Sequence, residues 1–222
     1  MVENASIIRE KRKSIKIVLT QSGELVVYAP FGIKIDRIED VLQNKKNILA
    51  KKMQQLRDTN NKYSSIFSRE EVMVFGKKYT IVLTDKVRKA SFTEEYFLLP
   101  KKHEEKVDFY IKKTVREIAE RVIFKRVKDI LFIHREFEVS KMIIGDFKSK
   151  WGSCDNFGVI KFNWRLAMVP PKLVDFVIMH ELSHLKELNH SNLFYNELSR
   201  LCPNWKESRE ALKEYSFLLS LY

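Results

Sequence analysis

The stretch HELSHLKELNH, residues 180–190, decides how the rest of the chain is read. On an α-helix, positions four apart are offset by about 40° and lie about 6 Å apart along the axis. His180 and His184 therefore fall on one face, where two imidazoles can grip a single small cation. Zinc suits neutral imidazole, tetrahedral geometry and a position left open for water. Glu181 sits one residue round from the first ligand. It can hold a water on the metal and take its proton without itself binding the ion, the division of labour that H-E-x-x-H hydrolysis requires.

His190 is the third expected ligand. It lies six residues past His184, about 120° off the ligand face of a continuing helix, so the helix has to stop and the chain turn back. Asn189 suits the left-handed position that ends helices, which places the expected turn at Leu188–Asn189. Metzincins carry a third histidine at the same spacing but turn at a glycine, where this chain has Glu187, so that group is excluded. Without His190 as a ligand, a carboxylate such as Glu187 or Glu197 would have to replace it.

At 222 residues the chain is long enough for one or two domains with a real core. The balance of 45% hydrophobic and 32% charged residues is that of a folded globular protein. No run of about 18 apolar residues offers a membrane span, and MVENASIIREKRKS has no apolar core of a signal peptide. Cys154 and Cys202 make no disulfide framework. The expected location is cytoplasmic, without a membrane partner.

The net charge is +12, and almost the whole excess lies ahead of residue 131. A basic surface attracts nucleic acid or acidic partners without specifying either. Weak nucleic-acid binding through the basic N-terminal half, with Arg9, Lys11, Arg12 and Lys13 as its densest run, is one expectation. A solvated, lysine-rich surface is the plainer reading, because no helix-turn-helix or RNA-binding signature accompanies the charge.

Residues 14–20 alternate apolar and polar, Gln21-Ser22-Gly23 make a turn, and ELVVYAP follows, which reads as a β-hairpin. Apolar residues at helical spacing predict a helix over 36–57. Further strands are expected at 72–75, 79–84 and 95–99. A long amphipathic helix over 102–131 carries Val107, Ile111, Val115, Ile118, Val122, Ile123, Val127 and Ile130 on one stripe, which should back onto the catalytic core. Strands follow at 136–144 and 158–164. Pro170-Pro171 then open a helix over 171–188 that is apolar nearly all round and belongs in the interior. Histidines buried there need partners, a second argument for a metal. Two short helices, parted by Pro203, close the chain.

The order FKSKWGSC (147–154), FNWRL (162–166), PP (170–171) and HELSHLKELNHS (180–191), with Phe194 soon after, resembles the YgjP-like metallopeptidases, relatives of the SprT-like and minigluzincin zincins. The resemblance is specific over 147–205 and compositional before it. It implies an α+β fold, with a zincin-like catalytic core of small mixed sheet, backing helix and HExxH helix, preceded by a β-rich N-terminal region. It also implies that His180, His184 and His190 bind Zn²⁺ and that Glu181 is the catalytic glutamate. Lys150 stands where the family commonly has arginine, and Tyr195 where tryptophan is usual. The expected organisation is a basic, β-rich region with one helix over 1–100 and a metallohydrolase domain over 101–222.

Six further residues are candidates near the site. Cys154 could touch metal or substrate, although buried cysteine usually acts as a small hydrophobe. Gly152 reads as a place where backbone passes close to something, such as an edge strand that pairs with a peptide. Lys148, Lys150 and Arg165 could hold an anion or be solvated. Tyr195 is a candidate oxyanion stabiliser, or else packs beneath the metal helix. His103 and His134 lie outside the motif. The expected function is a zinc-dependent hydrolase, a metallopeptidase using a Glu-activated water on a peptide. One alternative is a metal-dependent nucleotide pyrophosphatase, which needs several cations converging on the metal. The other is a nucleic-acid-associated zinc module.

Overall fold

The computed structural model describes residues 5–20 and 22–222, so Gln21 of the expected turn and residues 1–4 lie outside the described residues. The chain forms two compact units, residues 1–67 and 68–222.

In the first unit, β2 (Lys16–Leu19) pairs antiparallel with β3 (Leu25–Pro30), as the alternating pattern implies. β1 (Ala5–Glu10) goes beyond the sequence reading and lies parallel on the other edge of β3. Central β3 buries alternate residues, Leu25, Val27 and Ala29, the period of two that a one-sided sheet requires. They meet Ile38 and Leu42 of α1 (Ile35–Asn44) and Leu49 of α2 (Lys46–Lys62). The helix expected over 36–57 is thus two helices, broken at Lys45, where φ is −102° and ψ is 5°. A single turn, α3 (Ser64–Phe67), follows. Part of the basic run is committed internally. Arg9 donates to the carbonyls of Pro30 (3.1 Å) and Ile33 (2.8 Å). Arg12 pairs with Glu10 at 2.8 Å and with the carbonyl of Ser14.

The second unit holds two sheets. One, in the order β4-β5-β7-β6, joins β4 (Glu71–Val74), β5 (Lys77–Thr84), β6 (Ser91–Phe92) and β7 (Tyr96–Pro100). These strands belong with the metal-motif unit, so the division falls at 67/68 and not at 100/101. Long-range backbone bonds are the reason: the Phe75 and Gly76 amides donate to the Ala167 and Met168 carbonyls at 2.7 and 3.1 Å. Gly76 sits at φ +80°, and a Cβ there would fall 2.9 Å from Pro170 Cγ, so the turn needs glycine for both conformation and space.

α4 (Val107–Ile133) follows a short 3₁₀ segment and buries Ile111, Val115, Ala119, Ile123 and Val127, one residue per turn. Each such aliphatic burial contributes about 1.5–3 kcal/mol for the larger side chains. The stripe backs onto residues 164–168 and the strand at 141–145. Arg126 fixes the helix to Asp175 beyond it. The second sheet has the order β8-β10-β9, with β8 (Lys141–Gly145) parallel and β9 (Gly152–Cys154) antiparallel to central β10 (Val159–Asn163). The strand expected from 136 begins only at 141, and Phe137 instead closes a turn on the His134 carbonyl. The architecture is α+β, and among the described residues no helix is long and apolar enough to cross a membrane.

Two buried polar residues from FNWRL hold the chain before β9 in place. Asn163 donates to the carbonyls of Phe147 (2.7 Å) and Lys150 (2.9 Å). Arg165 is fully buried, against the expectation of a solvated or anion-binding cation. Its guanidinium donates to Asp146 Oδ1 (2.5 Å) and to the carbonyls of Leu221 (2.9 Å) and Tyr222 (2.7 Å). Burial alone would raise the Asp146 pKa, but hydrogen bonds from Lys112, Arg165 and Trp164 outweigh it and hold the carboxyl well below the usual carboxylate range.

Asp146→Asn strands the Arg165 charge and should cost about 2–4 kcal/mol, toward the low end for a broken buried pair because Asp146 keeps some contact with water. A carboxyl whose folded pKa is depressed stabilises fully above its unfolded pKa, about 3.9. That contribution fades as pH falls from there toward the folded value. Urea unfolding should accordingly show a shallower loss of stability between pH 5 and pH 2 in Asp146→Asn than in the parent.

Candidate metal centre

α5 (Pro171–Ser183) starts at a proline in its first turn and buries Leu173, Val174, Phe176, Val177, Ile178 and Leu182. It ends earlier than the expected 188. The Leu185 amide reaches back to Leu182 O, and those of Lys186 and Glu187 to Ser183 O, so the chain unwinds through tight turns from His184 onward. Asn189 is not among the described residues with positive φ, so the reversal needs no left-handed residue at the expected Leu188–Asn189 turn. Ser191 then caps α6 (Asn192–Leu201) by accepting from the Phe194 amide.

This early reversal brings His190 back to the other two histidines. Their candidate ligand atoms all lie within 4.8 Å of one another, and the Nε2 atoms of His180 and His190 are 3.2 Å apart. Nitrogens bound at 2.0–2.1 Å to a tetrahedral ion stand about 3.4 Å apart, so the spacing fits a shared metal. His184 Nδ1 lies 3.0 Å from the Glu187 carbonyl. A carbonyl only accepts, so Nδ1 carries the hydrogen and Nε2 is left as the ligand atom.

Phe194 is the floor of the cluster, a role that sequence reasoning missed. Fully buried, its ring centre lies 5.0 Å from His180, 4.5 Å from His184 and 4.7 Å from His190. A phenylalanine four residues past the last histidine was the available signal, but spacing alone does not reveal contact with all three. Burial, then the neighbouring His184, His190 and Arg209, push the His180 pKa down to about 3. Burial also lowers His184, against the Glu187 hydrogen bond. Unprotonated imidazoles are what metal ligation requires.

Glu181 is only 4% exposed, and its Oε2 has no hydrogen-bond partner among the described residues. Burial raises its pKa to about 8, partly offset by the charge of Lys150. β9 passes so close that a Cβ on Gly152 would lie 2.5 Å from Glu181 Oε1. The close approach expected at Gly152 is thus an approach to the glutamate.

A cavity of about 520 Å³ joins these groups, with Lys150, Cys154, Tyr195, Trp205 and Arg209 among its walls. Cys154 stands outside the three-histidine cluster, and burial, then Glu181 and Asp155, hold its thiol up at about 11. Tyr195 faces the cavity and also stacks on Trp205 at 4.9 Å. Lys148 bonds the Tyr222 carbonyl and does not line the cavity. Neither fallback carboxylate joins the cluster: Arg200 and Lys186 engage Glu197 and bring its pKa down to about 2, while Glu187 contributes its carbonyl. His103 stacks on Tyr110, and His134 lies beside Glu136.

His180 and Glu181 near the end of α5, His184 at its cap, the returning His190 and an edge strand beside the glutamate thus share one cavity, and the three histidines could hold a metal ion. The chain belongs to the YgjP-like metallopeptidase domain family, whose model matches residues 13–215. The metallopeptidase zymogen abylysin of Pyrococcus abyssi is similar at 22% identity and a TM-score of 0.35, over 42% of this chain and 90% of that one. No curated protein matches.

His190→Ala removes one of the three nitrogens that could hold a metal while leaving α5 and Phe194 in place. Metal affinity should fall at least about 100-fold, beyond the 10–100-fold typical of losing a mere supporting partner. Elemental analysis after dialysis against a graded chelator measures it, with circular dichroism unchanged.

Proposed function

We propose that the protein is a zinc-dependent peptidase in which His180, His184 and His190 hold the metal and Glu181 moves the proton. The observation that carries this reading is the Glu181 carboxyl, buried and unpartnered at Oε2 among the described residues, in one cavity with three histidines whose candidate ligand atoms lie within 4.8 Å of one another. Bound zinc supplies Lewis-acid polarisation of the attacking water and of the scissile carbonyl. Glu181 accepts the proton of that water at a carboxylate oxygen and later delivers it to the leaving amine. Tyr195, at the cavity wall, is the proposed donor to the oxygen that gains negative charge.

The free edge of β9 favours a peptide as the substrate. Among the described residues β9 pairs only with β10, and its residues 152–154 line the cavity. An extended chain can add to such an edge through main-chain hydrogen bonds. The pyrophosphatase alternative asks for several cations near the metal. Lys150 and Arg209 line the cavity whereas Lys148 and Arg165 do not, so two cations rather than several face the cluster, which supports that alternative less. The nucleic-acid alternative loses support where Arg9 and Arg12 are tied to the first unit's own backbone and to Glu10.

Glu181→Gln should keep its metal and fold yet lose at least about 10³-fold in kcat on a peptide, because the amide cannot accept the water's proton. Loss of zinc in that variant would instead make Glu181 a ligand. Gly152→Ala places a methyl against Glu181 Oε1. Its kcat should drop at least tenfold while zinc stoichiometry, read by elemental analysis, stays at the parent value.

A further inference from the structure

α7 (Trp205–Lys213) turns an unexpected face to the cavity. Trp205, Arg209 and Leu212 recur at the spacing that shares one side of a helix, and all three line the cavity with the metal cluster. The other charged residues of α7 are absent from that wall, and Lys213 and Glu210 pair with each other at 2.6 Å. Arg209 is solvent-exposed and lines the cavity together with Trp205 and Leu212, so its guanidinium is open to a ligand that enters there. No side-chain hydrogen bond or ion pair engages it among the described residues, and it lines the same cavity as His180.

The charges around it narrow what it could bind. Lys150, Glu181 and Arg209 are the charged lining residues besides the histidines. Lys150 leans its ammonium over the Phe147 ring at 4.8 Å and acts electrostatically on Glu181. Glu181 is buried, only 4% exposed. With a divalent ion added, the cavity would carry a clear positive excess and an unengaged guanidinium, a planar fork that matches a carboxylate through two parallel hydrogen bonds. Phe176, Leu198 and Leu212 supply apolar walls beside it.

We propose that Arg209 binds a carboxylate of the substrate within this cavity, so that the peptides preferred are those with an acid group close to the scissile bond. The inference rests on the peptidase reading for its substrate but not for the anion site itself. Two sources share the chemistry, the free carboxylate at a peptide's end and the side chain of Asp or Glu.

Isothermal titration on zinc-loaded Glu181→Gln, which binds without turning over, separates the possibilities. Three matched peptides serve as probes: one with a free terminal carboxylate, its terminal amide, and the amide carrying an internal Glu. At least one acid-bearing peptide should bind at least about tenfold tighter than the plain amide, as a charge-assisted bidentate contact warrants. The acid form that keeps the advantage identifies the source. Adding Arg209→Gln should erase the advantage without altering zinc content or affinity for the plain amide, and Arg209→Lys should restore part of it.

Equal binding of all three peptides overturns the proposal. So does a preference that survives Arg209→Gln, because the carboxylate would then sit on the metal or on Lys150. A nucleoside triphosphate that outcompetes every acid peptide would overturn it in favour of phosphate recognition. If acid peptides bind through Arg209 but the parent protein cleaves none of them, the carboxylate site stands and the peptidase reading falls.

Discussion

Three imidazoles gathered at one point cannot all take up protons, and the rest of the metal-motif unit is arranged around that constraint. Burial and the neighbouring rings disfavour a charge on His180 and His184, which leaves their lone pairs available to a shared ion. Phe194 makes the arrangement rigid by touching all three rings from below. The apolar body of α5 fixes two of the histidines, and the turns after Ser183 deliver the third. Among the described residues Glu181 is the buried carboxylate that lines the same cavity as the cluster.

Local features of this site were legible in the sequence, because two histidines four apart share a helix face whatever surrounds them. The return of His190 was legible as a necessity but not as a path. The expected turn relied on the habit of asparagine at helix ends, whereas the backbone unwinds earlier, with the Glu187 carbonyl meeting His184. Arg165 misled for a related reason. Arginine is mostly found at surfaces, and nothing in FNWRL discloses that Asp146 and two distant carbonyls wait for it inside.

The same limit governs the larger organisation. Hairpin, long helix and closing helices follow from periodicity, which is a property of neighbours in sequence. Where strands 71–100 belong depends on bonds from Phe75 and Gly76 to residues some ninety positions later, and periodicity is silent about those. β1 was hidden by its basic residues, since Arg9 and Arg12 look like solvated charge until their carbonyl and carboxylate partners are seen. Gly152 and Arg209 are similar cases: each is ordinary in its own segment and acquires meaning only from what the fold sets opposite.

The early end of α5 has a consequence for how the protein would respond to chelation. A helix carries partial negative charge at its C-terminal end, and here that end coincides with His180 and His184. A divalent ion held by them would act as the helix's cap, neutralising carbonyls that the unwinding turns leave only partly bonded. Stripping the ion would then loosen a short local segment rather than the whole unit, because Leu173, Val177 and Ile178 remain packed behind it. Faster amide exchange and protease nicking confined to residues 184–190 would be the signature of that state, a protein unlatched at one corner and still folded everywhere else.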